Sequence, residues 1–235
     1  MLLARRPSGR SLALALCLLL VVGVLLVQLA ERARGDGTNR CERFTADSAE
    51  RAEIVTGAGR DVVVIGDSWS AGLGLDEIGT SWPSRLAGRV RVAGFSGSGF
   101  SAGASACGPS VSFAERAAGA LRGPVDLVVV EGGLNDVDQP DAAIRAGFER
   151  LMDRVEARAG GAPVVVVGPA TAPSRAARVP RVDQLLAGLA EQHAATYVPT
   201  SGLDLAYLDD RLHLTPEGHR AFGDAVAAAI AAAGV

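Results

Sequence analysis

An α/β fold, with five short parallel strands in one sheet and helices on both of its faces, is what the 235-residue sequence predicts. Two observations carry the prediction. Short aliphatic runs recur at 62–65, 90–93, 127–130, 164–167 and, more weakly, 196–198, the pattern of parallel strands buried on both faces. Helical patterns fall between and after them, around 82–88, 111–121, 140–159, 182–194 and 216–233. Strands that alternate with helices close into a parallel sheet with crossover helices.

The N-terminus belongs to a different solvent. Twenty uncharged residues, 11–30, follow Arg5, Arg6 and Arg10. As a helix rising ~1.5 Å per residue they would span the ~30 Å hydrocarbon core. The expectation is a transmembrane anchor with residues 1–10 cytoplasmic and everything from Glu31 outward extracytoplasmic, because positive charge stays inside. The competing expectation is a cleaved signal and a secreted protein, although signal cores are usually shorter, about 7–15 residues. Residues 31–60 read as a polar linker and lead-in, and 61–235 as the folded domain. Of three cysteines, Cys17 lies in the apolar run, leaving Cys41 and Cys107. Outside the cytoplasm such a pair is expected to form a disulfide.

Composition narrows the function. With 49% hydrophobic residues, 21% charged and a formal net charge of −3, disorder is excluded. Every basic residue is arginine, and these are dispersed rather than gathered in a stripe, so no nucleic-acid partner is expected. No His, Cys and carboxylate cluster has metal-ligand spacing, so neither a metal nor another cofactor is expected.

Open parallel sheets bind ligands beyond the carboxyl ends of their strands. Those ends carry Gly66-Asp67-Ser68, then Gly94 through Gly99 (GFSGSG), then Gly133-Leu134-Asn135-Asp136, with Asp210-Arg211-Leu212-His213 before the last helix. Each alone is ordinary turn chemistry. Together, from Val62 to about Gly223, they resemble the SGNH, or GDSL-type, serine hydrolases, with Trp69 where the family's name has leucine. The resemblance implies a three-layer, flavodoxin-like α/β/α sandwich and hydrolysis or transfer of acyl groups on lipids, glycans and small esters.

The residues themselves support that chemistry. A serine hydroxyl needs a base, which His213 supplies to Ser68 if the fold joins them, and a carboxylate, Asp210, to orient the imidazole. The resemblance assigns the oxyanion donors to the Ser68 and Gly97 backbone N–H groups and the Asn135 side chain. Glycine at 97 also lets backbone approach substrate closely. Read singly, Ser68 is a helix N-cap, Asn135 a turn residue, Asp136 a turn organiser, His193 and His219 surface residues, and Glu131 a charge at the mouth of the site. Gly99 is a lesser oxyanion candidate. A second enzyme reading takes Gly99-Phe100-Ser101-Ala102-Gly103 as a nucleophile elbow, but it leaves the Gly66 and Gly133 motifs unexplained. The expected function is therefore a membrane-anchored, extracytoplasmic serine esterase acting on small-molecule or envelope esters. Acyl transfer to envelope glycans from the same site, or envelope binding without turnover, are the alternatives.

Overall fold

The computed structural model describes residues 18–20, 22–23, 37 and 39–235. The cytoplasmic segment 1–10 and most of the anchor 11–30 lie outside the described residues, of which 18–20 and 22–23 are helical. Among the described residues no helix is long and apolar enough to cross a membrane. The sheet and its helices belong to a compact unit, Arg43–Val235.

Five strands, β1 (Asp61–Gly66), β2 (Arg89–Gly94), β3 (Leu127–Glu131), β4 (Val164–Val167) and β5 (Thr196–Val198), fall where the aliphatic runs place them. All neighbours are parallel, in the order β2-β1-β3-β4-β5. In register, Val64 lies between Val92 and Val129. Alternation along β1 sends Val62 and Val64 into one core and Val63 and Ile65 into the other. The first core is closed by Trp82, Phe222, Val226 and Ile230, the second by Phe100, Phe113, Phe148, Leu151 and Leu186. Each wholly buried valine contributes roughly 1.5–3 kcal/mol. The cores thus form a sandwich with helix α6 (Pro216–Ala233) on one face and α3 (Phe113–Ala120), α4 (Asp141–Ala159) and α5 (Val179–Gln192) on the other.

Two elements differ from the sequence expectation. The pattern at 82–88 is a short 3-10 segment, Trp82–Arg85, ended by Leu86 in the extended region, with Gly88 and β2 immediately beyond. The lead-in is helical over residues 39–53 (α1). Its inward side is Phe44, Asp47, Ser48 and Arg51. That is helical spacing with one large apolar residue, invisible to a hydropathy reading. Arg51 is fully buried and anchors the helix, its Nε donating to Ser81 Oγ at 3.2 Å and its Nη1 to the Ile54 carbonyl at 3.1 Å. Burial pulls its guanidinium down to about 10. Beyond α1, Thr56 bridges antiparallel to Val90, at the outer edge of β2. Cys41 and Cys107 are both disulfide-bonded.

In this strand order the chain leaves β1 for one neighbour and returns from β2 to the other, β3. The switch point therefore lies between the carboxyl ends of β1 and β3, where such sheets hold ligands. The loops after these two strands carry Ser68 and Asn135.

Candidate active site

The turn after β1 becomes a single helical turn, α2 (Ser68–Ala71), whose cap is Asp67: its Oδ1 accepts from the Trp69 N–H at 2.9 Å. Since Asp67 does the capping, the Ser68 hydroxyl is not consumed by the helix end. It lies 3.2 Å from His213 Nε2. The other ring nitrogen, Nδ1, is 2.5 Å from Asp210 Oδ2. A carboxylate can only accept, so the proton sits on Nδ1 and Nε2 is left with a lone pair facing the serine.

The loop bearing Asp210 and His213 is closed on itself. Asp210 Oδ1 accepts from the Leu212 and His213 backbone N–H groups, each at 2.9 Å, and the His213 carbonyl accepts from Leu208 N–H at 2.8 Å. Arg211 takes a left-handed φ of 57° to make the turn. Partial burial pushes the Asp210 carboxyl up, but the hydrogen bonds from the His213 ring and from the two N–H groups outweigh it, so it titrates below the usual range. Asp209, by contrast, has no hydrogen bond to the ring among the described residues.

Trp69 joins this loop to the nucleophile helix. Its indole N–H donates to the Leu212 carbonyl at 3.1 Å, and its ring packs edge-on against Phe222 at 5.1 Å. Trp69→Phe keeps an aromatic ring and removes the N–H. We expect kcat to fall about tenfold with KM unchanged, since small displacements of reacting groups are costly, and stability to fall by about 1 kcal/mol. Steady-state kinetics beside urea unfolding separates the two; an unaltered kcat would reduce the indole to packing.

The expected oxyanion donors are differently disposed. Gly97 has φ 79°, the left-handed region, and a Cβ there would meet only Ser105 Oγ, at 4.0 Å. Among the described residues neither its N–H nor that of Ser68 has an acceptor. Asn135 donates through Nδ2 to Asp67 Oδ2 at 3.2 Å and to the Ser98 carbonyl at 2.9 Å, engaging both amide protons. Gly99 fits packing instead: a Cβ would lie 2.4 Å from Asp136 Oδ2. Asp136, buried, accepts from Phe100 N–H at 3.0 Å and Ser101 N–H at 2.8 Å. It therefore fastens the glycine loop to the Asn135 turn. Burial raises it to about 7, against the pull of those two N–H groups.

Three sequence readings are corrected. Glu131 is buried, not at the mouth, and accepts from Ser70 Oγ at 2.7 Å, which itself accepts from Trp82 Nε1 at 3.1 Å. Burial, then the nearby Asp67, push it well above the ordinary range. Burial likewise raises Asp67 to about 6, opposed by the Trp69 N–H, by the nearby His213 ring and by the charges of Arg116 and Arg175. Ser101 has no histidine partner among the described residues; its hydroxyl lies 3.2 Å from Gln139 Oε1 and accepts from Gly103 N–H. That leaves the elbow reading without a base.

The third correction is His219, which is 1% exposed rather than on the surface. Its Nδ1 accepts from Trp82 N–H at 3.3 Å, and Nε2 is buried without a partner. Burial, with the His213 ring nearby, lowers it to about 4. Below about 6.5 the unfolded chain takes up a proton that the native one refuses until about 4, so this group's contribution is intact above 6.5 and lost as pH falls. The loss is on the order of 3 kcal/mol. His219→Asn retains an acceptor without titrating, and its stability should fall less than the wild type's between pH 7 and pH 4 in urea unfolding. Parallel curves would refute the assignment.

Arg116 was missed altogether. It donates to Val111 and Ala93 carbonyls, to the Gly66 carbonyl at 2.9 Å and to Ser98 Oγ at 3.0 Å, tying the ends of β1 and β2 to the glycine loop. The available signal was a charge beside the apolar face Phe113, Ala117 and Leu121 of α3. His193 caps α5 and tilts against Phe148 at 5.5 Å. Among the described residues no three His, Cys, Asp or Glu side chains are grouped to hold a metal ion.

A hydroxyl, an imidazole and a carboxylate in hydrogen-bonded series, at the switch point of a parallel sheet, make up the constellation of a serine hydrolase. The chain belongs to the GDSL-like lipase/acylhydrolase family, whose model matches residues 64–221; it is an esterase-type hydrolase of acyl esters. Among solved structures it is similar to AlinE4, an SGNH-hydrolase family esterase (25% identity over 76% of this chain and 98% of that one, TM-score 0.52). The carbohydrate acetylesterase Est24 from Sinorhizobium meliloti (21% identity, 74% and 100% covered, TM-score 0.60) shares the fold. So does the inhibitor-bound aryl esterase of M. smegmatis (19% identity, 74% and 99% covered, TM-score 0.60). No curated protein sequence matches the chain.

Proposed function

We propose that this chain hydrolyses small carboxylic esters through an acyl-enzyme on Ser68, and does so outside the cytoplasm, held to the membrane by residues 11–30. The observation that carries the chemistry is the 3.2 Å approach of His213 Nε2 to Ser68 Oγ across 145 residues of chain. As Ser68 attacks the carbonyl carbon, its proton passes to Nε2, and Asp210 stabilises the imidazolium. The carbonyl oxygen, now an anion, is taken by the Ser68 and Gly97 N–H groups and by the Asn135 amide. His213 returns the proton to the leaving alkoxide, which departs as the alcohol. Water then repeats the sequence, releasing the acid.

Acetyl and other short acyl esters of sugars or phenols are the substrates we favour, on the strength of the carbohydrate acetylesterase and aryl esterase likenesses. A panel of p-nitrophenyl and sugar esters, varying acyl length and alcohol, tests this. Decline of kcat/KM beyond butyryl supports the reading, whereas a rising preference up to long chains would mark a lipase.

A further inference from the structure

We propose that the cleft between α1, α3 and the edge strand β2 binds an organic carboxylate with an apolar body, at a site separate from Ser68. The cleft encloses about 650 Å³ and is lined by none of Ser68, Gly97, Asn135 or His213. That volume lies in the range of small-molecule sites. Arg91 and Ala93 of β2 line the cleft together with Arg116 and Gly119 of α3 and Ser48 and Ala52 of α1.

Its lining is mainly basic. Arg91, Arg116, Arg122 and Arg158 face a single carboxylate, Glu115. None of the four forms an ion pair among the described residues. Arg116 is partly answered by Asp67. Arg91 is not: its Nη groups donate to the Ala120, Arg122 and Pro124 carbonyls, which satisfies donors but leaves the charge. Its Nε is buried with no partner. A carboxylate seated in the cleft beside the guanidinium answers that charge. Val63, Ala93, Ala118 and Ala120 add apolar lining, and call for a ligand body that is not simply an ion.

The probe is 2-naphthoate, whose flat ring also suits guanidinium stacking, titrated calorimetrically into the full chain in neutral detergent. The comparisons are 2-naphthol, with the same body and no charge, and acetate, with the charge and no body. Saturable binding of 2-naphthoate at least about tenfold tighter than either is expected, since a charged hydrogen bond is worth that factor or more. Gly119→Leu decides the location: Gly119 lines the cleft and a Cβ there meets nothing within 4 Å, so the side chain fills the space while favouring the helix. This variant should melt no lower than wild type and bind about tenfold more weakly, as should Arg91→Gln, by loss of that contact. Absence of saturable binding, equal affinity for 2-naphthol, or undiminished binding to Gly119→Leu would each overturn the proposal.

Discussion

Ser68→Ala is expected to lower ester hydrolysis by about 10⁵–10⁶-fold, and His213→Ala, alone or combined with it, by about the same factor, because groups that act as one unit are not additive. The serine hydroxyl has no other hydrogen-bond partner than His213 among the described residues, and the cap that holds α2 is Asp67. The fold therefore loses little, within about 1 kcal/mol, when the hydroxyl goes. Covalent labelling by a fluorophosphonate gives a second readout. Wild type and Ser101→Ala should label; Ser68→Ala should not. Retained hydrolysis in Ser68→Ala, with loss in Ser101→Ala, would move the chemistry to the other serine.

Asn135→Ala should lower kcat by about 10²–10³-fold, the usual cost of one oxyanion donor, and in addition destabilise the protein by about 1–3 kcal/mol. The second effect follows from geometry. Asn135 supplies a proton to the buried Asp67 carboxylate and another to the Ser98 carbonyl. Removing the amide leaves both acceptors without that donor. The bond to Asp67 is the longer, 3.2 Å against 2.9 Å, and is the one a developing oxyanion would draw away. Asn135→Asp should be worse, since it sets a carboxylate against Asp67 and offers the Ser98 carbonyl no donor. Single-turnover kinetics and urea unfolding on the same preparations measure the two losses; a variant destabilised but fully active would remove Asn135 from the oxyanion site.

The link between stability and catalysis runs through the same buried carboxyls. Asp67 caps the nucleophile's helix, holds Asn135, and sits near Glu131. Burial raises both groups, and each is partly answered: Glu131 by the Ser70 hydroxyl, Asp67 by the Trp69 N–H and the charges of Arg116 and Arg175. Gly66 keeps this arrangement possible, since a Cβ there would fall 2.1 Å from Ser70 Oγ and 2.9 Å from Glu131 Oε2.

By itself the sequence determined the strands, their parallel arrangement and the places where chemistry sits. Those features are local: an aliphatic run is buried wherever it lies, and a strand that ends in Gly-Asp-Ser or Gly-Leu-Asn-Asp announces its turn in adjacent residues. The three-residue spacing of Asp210 and His213 is local too. What only the tertiary structure decided is which groups meet across long separations. Trp69 finds the Leu212 carbonyl 143 residues away, Trp82 N–H finds His219 across 137, and Arg116 finds Gly66 across 50. A side chain's role in such cases depends on how densely helices pack on the sheet, which no short window encodes. The same holds for α1, whose inward side has a single large apolar residue, Phe44, and is anchored by the buried Arg51. Packing likewise buried Glu131, which read as a charge at the mouth of the site, and His219, which read as a surface group, and burial shifts each toward its neutral form because removing a charge from water is costly.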